Sequence, residues 1–342
     1  MHIQPFPRPH LESFESPLRV QMATAYLKRN GILNELKQTR APRAKIEDVL
    51  TVHSPYLVDT VMIMSELGSG GVGDAAYASP DLLRNSLLAV GGAIEAAKTV
   101  NDGVVKHAFS MMRPPGHHAS TSNAAGLCYF NNLAIAIKRV LEKPHIKRVT
   151  IFDFDDHFGN GTSEIFYSDP NVQYVSIHEY DYEDQGIGHY EETGWGEGKG
   201  TNINIPLVDG TSDVSYQSAI DKIVVPAIES FKPDMIAVSA GFDSHYADPV
   251  GNMNIDSSTF WYIGQIIKKL VAKHKMRGSF STLEGGYNPF VLGPAIRALL
   301  DGLSGKSLPE LDDQVEREVH EQLTDTNENI IQQVLETHKQ FL

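Results

Sequence analysis

The stretch Asp153-Phe154-Asp155-Asp156-His157-Phe158-Gly159-Asn160-Gly161 decides how this chain is read. It closes an apolar run of about 148–154 with the length of a fully buried strand, and it stops at glycines. Alternate side chains of an extended backbone face the same way. Asp153, Asp155 and His157 are therefore expected to project together from the strand end into the adjoining cleft. Carboxylate and imidazole donors suit zinc or a neighbouring divalent ion, and a site with one position open to water is built for catalysis. The same residues have a plainer reading, an Asp capping the next helix and a hydrogen-bonded surface His, so other strand ends must decide.

Outward from this run, further apolar strands are expected at about 107–112, 172–178, 235–241 and 278–283. Each is continuous in hydrophobicity rather than alternating, as in a sheet covered on both faces. Helical patterns intervene at about 17–30, 82–99, 131–141, 213–231, 257–275 and 291–300. Ser79-Pro80-Asp81 is read as a cap with proline at the first turn of the second of these. The alternation predicts an α/β protein with a mainly parallel sheet and helices on both faces. No internal repeat or low-complexity linker interrupts it. Residues 180–201, rich in Gly, Glu and Tyr, read as a long loop of the kind that borders active sites. From Ser307 the chain turns acidic and polar and ends in a helix expected over about 327–341, a packing or oligomer element.

An α/β fold often carries 342 residues on one continuous sheet, and 41% hydrophobic content suffices for a large core. One catalytic domain over 1–342 is expected, with an acidic helical extension over about 307–342. The start, Met1-His2-Ile3-Gln4-Pro5-Phe6-Pro7, lacks a basic patch followed by an apolar stretch, and no run approaches eighteen apolar residues. A soluble, cytoplasmic protein without membrane contact is the expectation. The single cysteine, Cys128, excludes an intrachain disulfide and a thiolate zinc cage. A net charge of −14 disfavours a nucleic-acid footprint, which needs clustered Lys and Arg.

Ligands of open α/β sheets bind outside the carboxyl ends of the strands. Four strand ends here carry reactive side chains: Arg113-Pro114-Pro115-Gly116-His117-His118, the Asp153 run, Ser239-Ala240-Gly241-Phe242-Asp243, and Glu284-Gly285-Gly286-Tyr287-Asn288. Jointly they bring metal-ligating groups, two candidate bases and a phenol to one sheet edge, which loop chemistry alone does not predict.

With these motifs in order, and with Glu15-Ser16-Pro17-Leu18-Arg19, Val52-His53-Ser54-Pro55-Tyr56 and residues 126–132, the chain resembles the arginase/deacetylase superfamily. Within it, the chain is similar to zinc-dependent histone deacetylases, bacterial histone deacetylase-like amidohydrolases and acetylpolyamine amidohydrolases. The resemblance implies the three-layer arginase/deacetylase fold and hydrolysis of an acylated amine, either a small molecule or an acyl-lysine peptide. It implies Asp155, His157 and Asp243 as zinc ligands, and His118 as general base and then acid beside a charge-tuning His117. It further implies Asp153 and Asn160 as supports of those imidazoles, and Tyr287 as the oxyanion donor. Family members also commonly bind a monovalent cation, implying potassium near Asp153, Ser176 and the backbone carbonyls around Asp155, His157 and Ile177.

Three departures accompany the match. Phe158 stands where most relatives have a second histidine, with the acidic Asp156 before it. Leu127, in Gly126-Leu127-Cys128-Tyr129, replaces a phenylalanine that walls the acyl channel. Asp248-Pro249-Val250 ends in a valine where polyamine-selective relatives carry an acid. That valine weakens the acetylpolyamine alternative, whereas the N-terminal motif and the length favour it. Glu179, Asp181, Glu183, Asp184, Glu191 and Glu192 offer an acidic loop that can draw a cationic amine, or simply a solvated one. A catalytically silent acyl-group binder and a magnesium phosphohydrolase are the rivals from other classes. The intact set of ligands, His118 and Tyr287 opposes the first, and the missing phosphate cradle opposes the second.

Overall fold

The computed structural model of the chain describes residues 14–183, 186–313, 315, 317 and 320–342. Met1 to Pro7 and Asp184, on which expectations were placed, lie outside the described residues.

Four helices open the described chain: α1 (Pro17–Arg29), α2 (Ile32–Glu35), α3 (Ile46–Val49) and α4 (Pro55–Leu67). A small antiparallel pair follows, β1 (Gly71–Gly73) with β2 (Ala76–Tyr77). The central alternation is α5 (Leu82–Asn101), β3 (His107–Ser110), α6 (Asn132–Leu141), β4 (Val149–Asp153), α7 (Asn160–Phe166), β5 (Val172–Glu179) and β6 (Asn202–Leu207). Helix α8 (Asp213–Ala219) then runs through a π-helical turn, Ile220–Val224, into α9 (Val225–Phe231). The chain continues as β7 (Met235–Ala240), α10 (Ser257–Lys273), β8 (Ser279–Leu283), α11 (Leu292–Ser304) and α12 (Glu321–His338).

The six long strands form one sheet in the order β3-β8-β7-β4-β5-β6, and every pairing in it is parallel. β4 shows why: all five of its residues are buried, so it has no wet face, and parallel strands covered by helices tolerate that. Val149 and Ile151 pack on one side with α5, α6 and α7. Phe152 and Phe154 pack on the other with α8 to α12 and α1. Burying one such aromatic contributes about 1.5–3 kcal/mol.

Two expectations are corrected. Pro80 precedes α5 rather than sitting in its first turn, and Asp81 at the N-cap makes no side-chain cap bond. No strand is expected over 202–207 from the sequence, yet β6 follows directly on the 180–201 loop. Asn202, Asn204 and Pro206 break its apolar run, and Pro206 is tolerated because β6 is an edge strand. The carboxyl-terminal helix covers that edge: Asn327 Oδ1 accepts the Val208 N–H at 3.1 Å, and Asn327 Nδ2 donates to Thr211 Oγ1 at 2.8 Å. Among the described residues no helix is long and apolar enough to cross a membrane.

Candidate metal and catalytic centre

The strand ends meet where the topology predicts. β4 lies between β5 and β7, with β8 beside β7, so the segments after β4, β7 and β8 are neighbours at one sheet edge. The donor atoms of Asp155, His157 and Asp243 lie within 4.8 Å of one another. His157 Nδ1 is 3.2 Å from both Asp155 Oδ1 and Asp243 Oδ2. Both carboxylates are buried, and Asp243 Oδ2 makes no hydrogen bond. An orphaned buried carboxylate oxygen is costly, and a cation shared by these three groups removes that cost. One imidazole nitrogen and two carboxylates, leaving positions free, make a donor set that zinc accepts.

The local fold explains the convergence. The strand stops at Asp153, and Asp153 Oδ1 accepts the N–H of Asp155 at 3.2 Å while Asp155 Oδ1 accepts the N–H of His157 at 3.0 Å. These side-chain-to-backbone turns wrap the chain around the cluster. Asp155 Oδ2 is fixed by the Gly285 N–H at 2.7 Å, and Asp243 Oδ1 by the Asp156 N–H at 3.1 Å. Gly285 cannot carry a side chain, because a Cβ there would meet Asp243 Oδ2 at 2.0 Å and Asp155 Oδ2 at 2.7 Å.

Asp153 does not join this group as the strand parity predicted. Its Oδ2 faces His117 Nδ1 at 3.3 Å and accepts the Tyr174 hydroxyl at 3.1 Å. Burial first, offset by His117, leaves the Asp153 carboxyl raised. The rings of His117 and His118 are 4.1 Å apart between centroids. Asn160 Oδ1 accepts from His118 Nδ1 at 2.7 Å, so the proton of a neutral His118 sits on Nδ1 and Nε2 keeps its lone pair. The two histidines are driven apart. Burial disfavours a charge on His117, but Asp155 and Asp153 overcome it and raise the ring to about 10. Burial, then the neighbouring His117 and His157, lower His118 to about 3.

Tyr287 is buried beside Arg19, whose guanidinium carbon stands 4.5 Å from the ring centroid. Arg19 Nε and Nη2 donate to the carbonyls of Gly286 and Glu284 at 2.7 and 2.6 Å. Burial above all, offset by Arg19, pushes the phenol well above its ordinary value, so it stays a donor. Sequence reasoning gave no role to Glu284, whose Oε2 accepts the N–H of Gly116 at 2.6 Å and of His117 at 3.1 Å, holding the tandem-histidine loop. Burial raises Glu284 to about 7. With His117 and buried Cys128 it forms the second close group of donors among the described residues. The signal for Glu284 was a charged residue ending an apolar strand.

Gly126 and Leu127 adopt left-handed backbone at φ +51° and +66°, pinned by bonds to the carbonyls of Asp74 and Ala75. A Cβ on Gly126 would meet His118 Cδ2 at 2.3 Å. Phe158 packs on His178 at 4.8 Å and Tyr174 at 6.1 Å between ring centroids. Asp156 is turned away from the cleft: its Oδ2 accepts the Asn252 N–H at 2.9 Å. Ser176 pairs in register with Asp153 across β4 and β5, and its hydroxyl meets His178 Nδ1 at 2.8 Å. Glu192 of the acidic loop is committed internally, accepting the N–H groups of Gly188 and His189.

Residues 13–303 match the histone deacetylase domain family. A probable deacetylase of Archaeoglobus fulgidus is 40% identical over 247 residues, covering 72% of this chain and 68% of that protein. A histone deacetylase-like amidohydrolase of Pseudomonas aeruginosa is 33% identical over 296 residues, covering 86% and 77%. The crystal structure of the HDA15 HD domain superposes with a TM-score of 0.86 at 29% identity, covering 99% of this chain and 91% of that one.

Proposed function

Because the chain belongs to the histone deacetylase family and is a hydrolase of acylated amines, we propose that it removes the acetyl group from acetyl-lysine-like amides. In this reading a zinc ion is held by Asp155, His157 and Asp243. The reading is carried by the convergence of those three groups, with one buried carboxylate oxygen left without a hydrogen bond.

An amide has a poor electrophile and a poor leaving group. When bound, zinc would supply a Lewis acid for the acyl oxygen and acidify the attacking water. His118 takes the water proton at Nε2 and returns it to the departing amine, with Asn160 holding Nδ1–H so that the tautomer cannot reverse. His117, held by Asp153 through its Nδ1, tunes the charge beside the reaction. Tyr287 donates its phenolic proton to the acyl oxygen as negative charge collects there.

We place potassium at Asp153, Ser176 and the carbonyl of Ile177, supported by the register that sets Asp153 beside Ser176. We assign the channel wall to Gly126, Leu127 and Val250. The uncharged Val250 favours acetyl-lysine over acetylated polyamine. Residues 307–342 are proposed to belong to the same catalytic unit, supported by the bonds of Asn327 to the β6 edge.

The test is metal content per chain together with turnover of acetyl-lysine peptides, acetylated polyamines and longer acylamides, with zinc supplied and a hydroxamate as control. One zinc per chain and hydroxamate-sensitive release of acetate from lysine are expected. A metal-free, inactive protein under zinc excess refutes the reading, and a preference for acetylated polyamine overturns the substrate assignment.

A further inference from the structure

Tyr287 rides on the turn that leaves β8, and its backbone is gripped from two sides. On one side Arg19 holds the carbonyls of Gly286 and Glu284. On the other stands Asp248. Its Oδ2 accepts the N–H of Tyr287 at 2.6 Å and of Asn288 at 2.9 Å, and its Oδ1 accepts the N–H of Val250 at 3.1 Å. The neighbouring turn answers in kind, with Asn288 Nδ2 donating to the Ala247 carbonyl at 2.7 Å. The segment that carries Asp248 begins immediately after Asp243. It is tied down just beyond its far end, where Asp156 accepts the Asn252 N–H. A single carboxylate thus bridges the segment following one metal-cluster residue and the turn that carries the phenol.

From this we infer that Asp248 is a positioning residue for the reaction: it fixes the phenol of Tyr287 relative to the Asp155, His157 and Asp243 cluster. The inference rests on the role proposed above for Tyr287.

The physical case has two parts. A carboxylate accepting three amide N–H groups makes charge-assisted bonds, shorter and roughly twice as strong as neutral ones. An oxyanion donor, for its part, is effective only when aimed beforehand at the place where charge develops. A displacement of about 1 Å can cost on the order of 100-fold in rate. Without Asp248 the ring keeps Arg19 beside it and Asn288 keeps the Ala247 carbonyl, but the N–H groups of Tyr287 and Asn288 lose their acceptor. The phenol then samples positions from which it does not reach the acyl oxygen.

The test is a double-mutant cycle with Asp248→Ala, Asp248→Asn, Tyr287→Phe and Asp248→Ala/Tyr287→Phe. Each variant is assayed for kcat and KM on an acetyl-lysine peptide at high enzyme concentration, with zinc content and Tm measured alongside. Asp248→Ala is expected to lower kcat by about 10- to 100-fold, with KM within about threefold and zinc retained. Asp248→Asn is expected to fall in between, because a single amide oxygen can still serve Tyr287 and Asn288 but the amide NH2 then faces the Val250 N–H. In the Tyr287→Phe background, Asp248→Ala should change kcat by less than about threefold, since no phenol remains to be positioned.

Equal losses in both backgrounds would mean that Asp248 supports the site generally, and the inference falls. Wild-type kcat in Asp248→Ala overturns it too. If Asp248→Ala does not fold, Asp248→Asn and its double variant with Tyr287→Phe carry the same comparison. Normal turnover by Tyr287→Phe is a separate result: it removes the phenol from the mechanism and this inference with it.

Discussion

Replacing Asn160 by Asp tests how the base is set. Asn160 opens α7 and accepts the Nδ1 proton of His118 at 2.7 Å. The substitution keeps the shape and places a negative charge against the ring. In the wild type, burial first, then the neighbouring His117 and His157, lower His118 to about 3, and the Asn160 bond is a smaller opposing influence. Unit charges at about 4 Å attract by about 4 kcal/mol at an effective dielectric near 20. The half-buried carboxylate gives back part of this in lost hydration. A net gain of about 1.4–2.7 kcal/mol remains, or one to two pKa units. The sign follows directly. The carboxylate favours imidazolium, so His118 stays protonated, and useless as a base, to higher pH. The acid limb of kcat/KM, which reports groups of the free enzyme, should move up by one to two pH units while the zinc content is unchanged. Asn160→Ala is the control. It removes the acceptor, frees the ring to take the other tautomer, and should lower the plateau by about 5- to 160-fold, from the roughly 1–3 kcal/mol of an orphaned buried donor. A folded, zinc-replete Asn160→Asp variant with an unmoved acid limb would refute the assignment of His118 as the base.

Three further outcomes are expected. Tyr287→Phe should lose about 100- to 1000-fold in kcat with normal zinc content and Tm, because the ring and its contact with Arg19 stay in place; equilibrium zinc analysis and steady-state kinetics check it. Zinc added to chelator-stripped protein at about 1000 times its dissociation constant should stabilise it by about 4 kcal/mol, seen as a rise in Tm, and Asp243→Asn should abolish most of that rise. Truncation after Lys306 removes α12, uncovers the β6 edge and should turn the protein toward self-association, measured by light scattering against the full chain.

The architecture was legible because its strands are apolar on both faces. Val149 to Asp153 carry no polar alternation, which is the mark of a parallel strand under helices, and five of the six long strands were located to within about two residues. The sixth was not, for a reason in its own sequence. Asn202 and Asn204 face inward on β6 to bond Ser163 Oγ and the His189 carbonyl, so buried polar work masks the apolar pattern. The helix Pro55–Leu67 was passed over as part of a motif, although Ser54 at its N-cap and Gly68 beyond its end were both present to mark it.

The candidate site was legible in its members and less so in its layering. Parity along an extended strand puts Asp153, Asp155 and His157 on one face, but parity holds only while the backbone stays extended. It lapses at Asp153, because that carboxylate and the next acid both capture the N–H two residues ahead. Aspartate does this readily and alanine does not, so the residues that make the site also end the strand that would have aligned them. Asp155 and His157 consequently close on Asp243, whereas Asp153 stays a layer below with His117 and Tyr174. The same reasoning accounts for Asp156. An extended chain would place it opposite its neighbours in a sheet face already filled by Phe152 and Phe154. In the turn it instead points to the segment after Gly251 and caps the N–H of Asn252. Burial and the adjacent Asp243 raise its carboxyl to about 8, and both of its oxygens are met by backbone N–H groups, those of Asn252 and Met253.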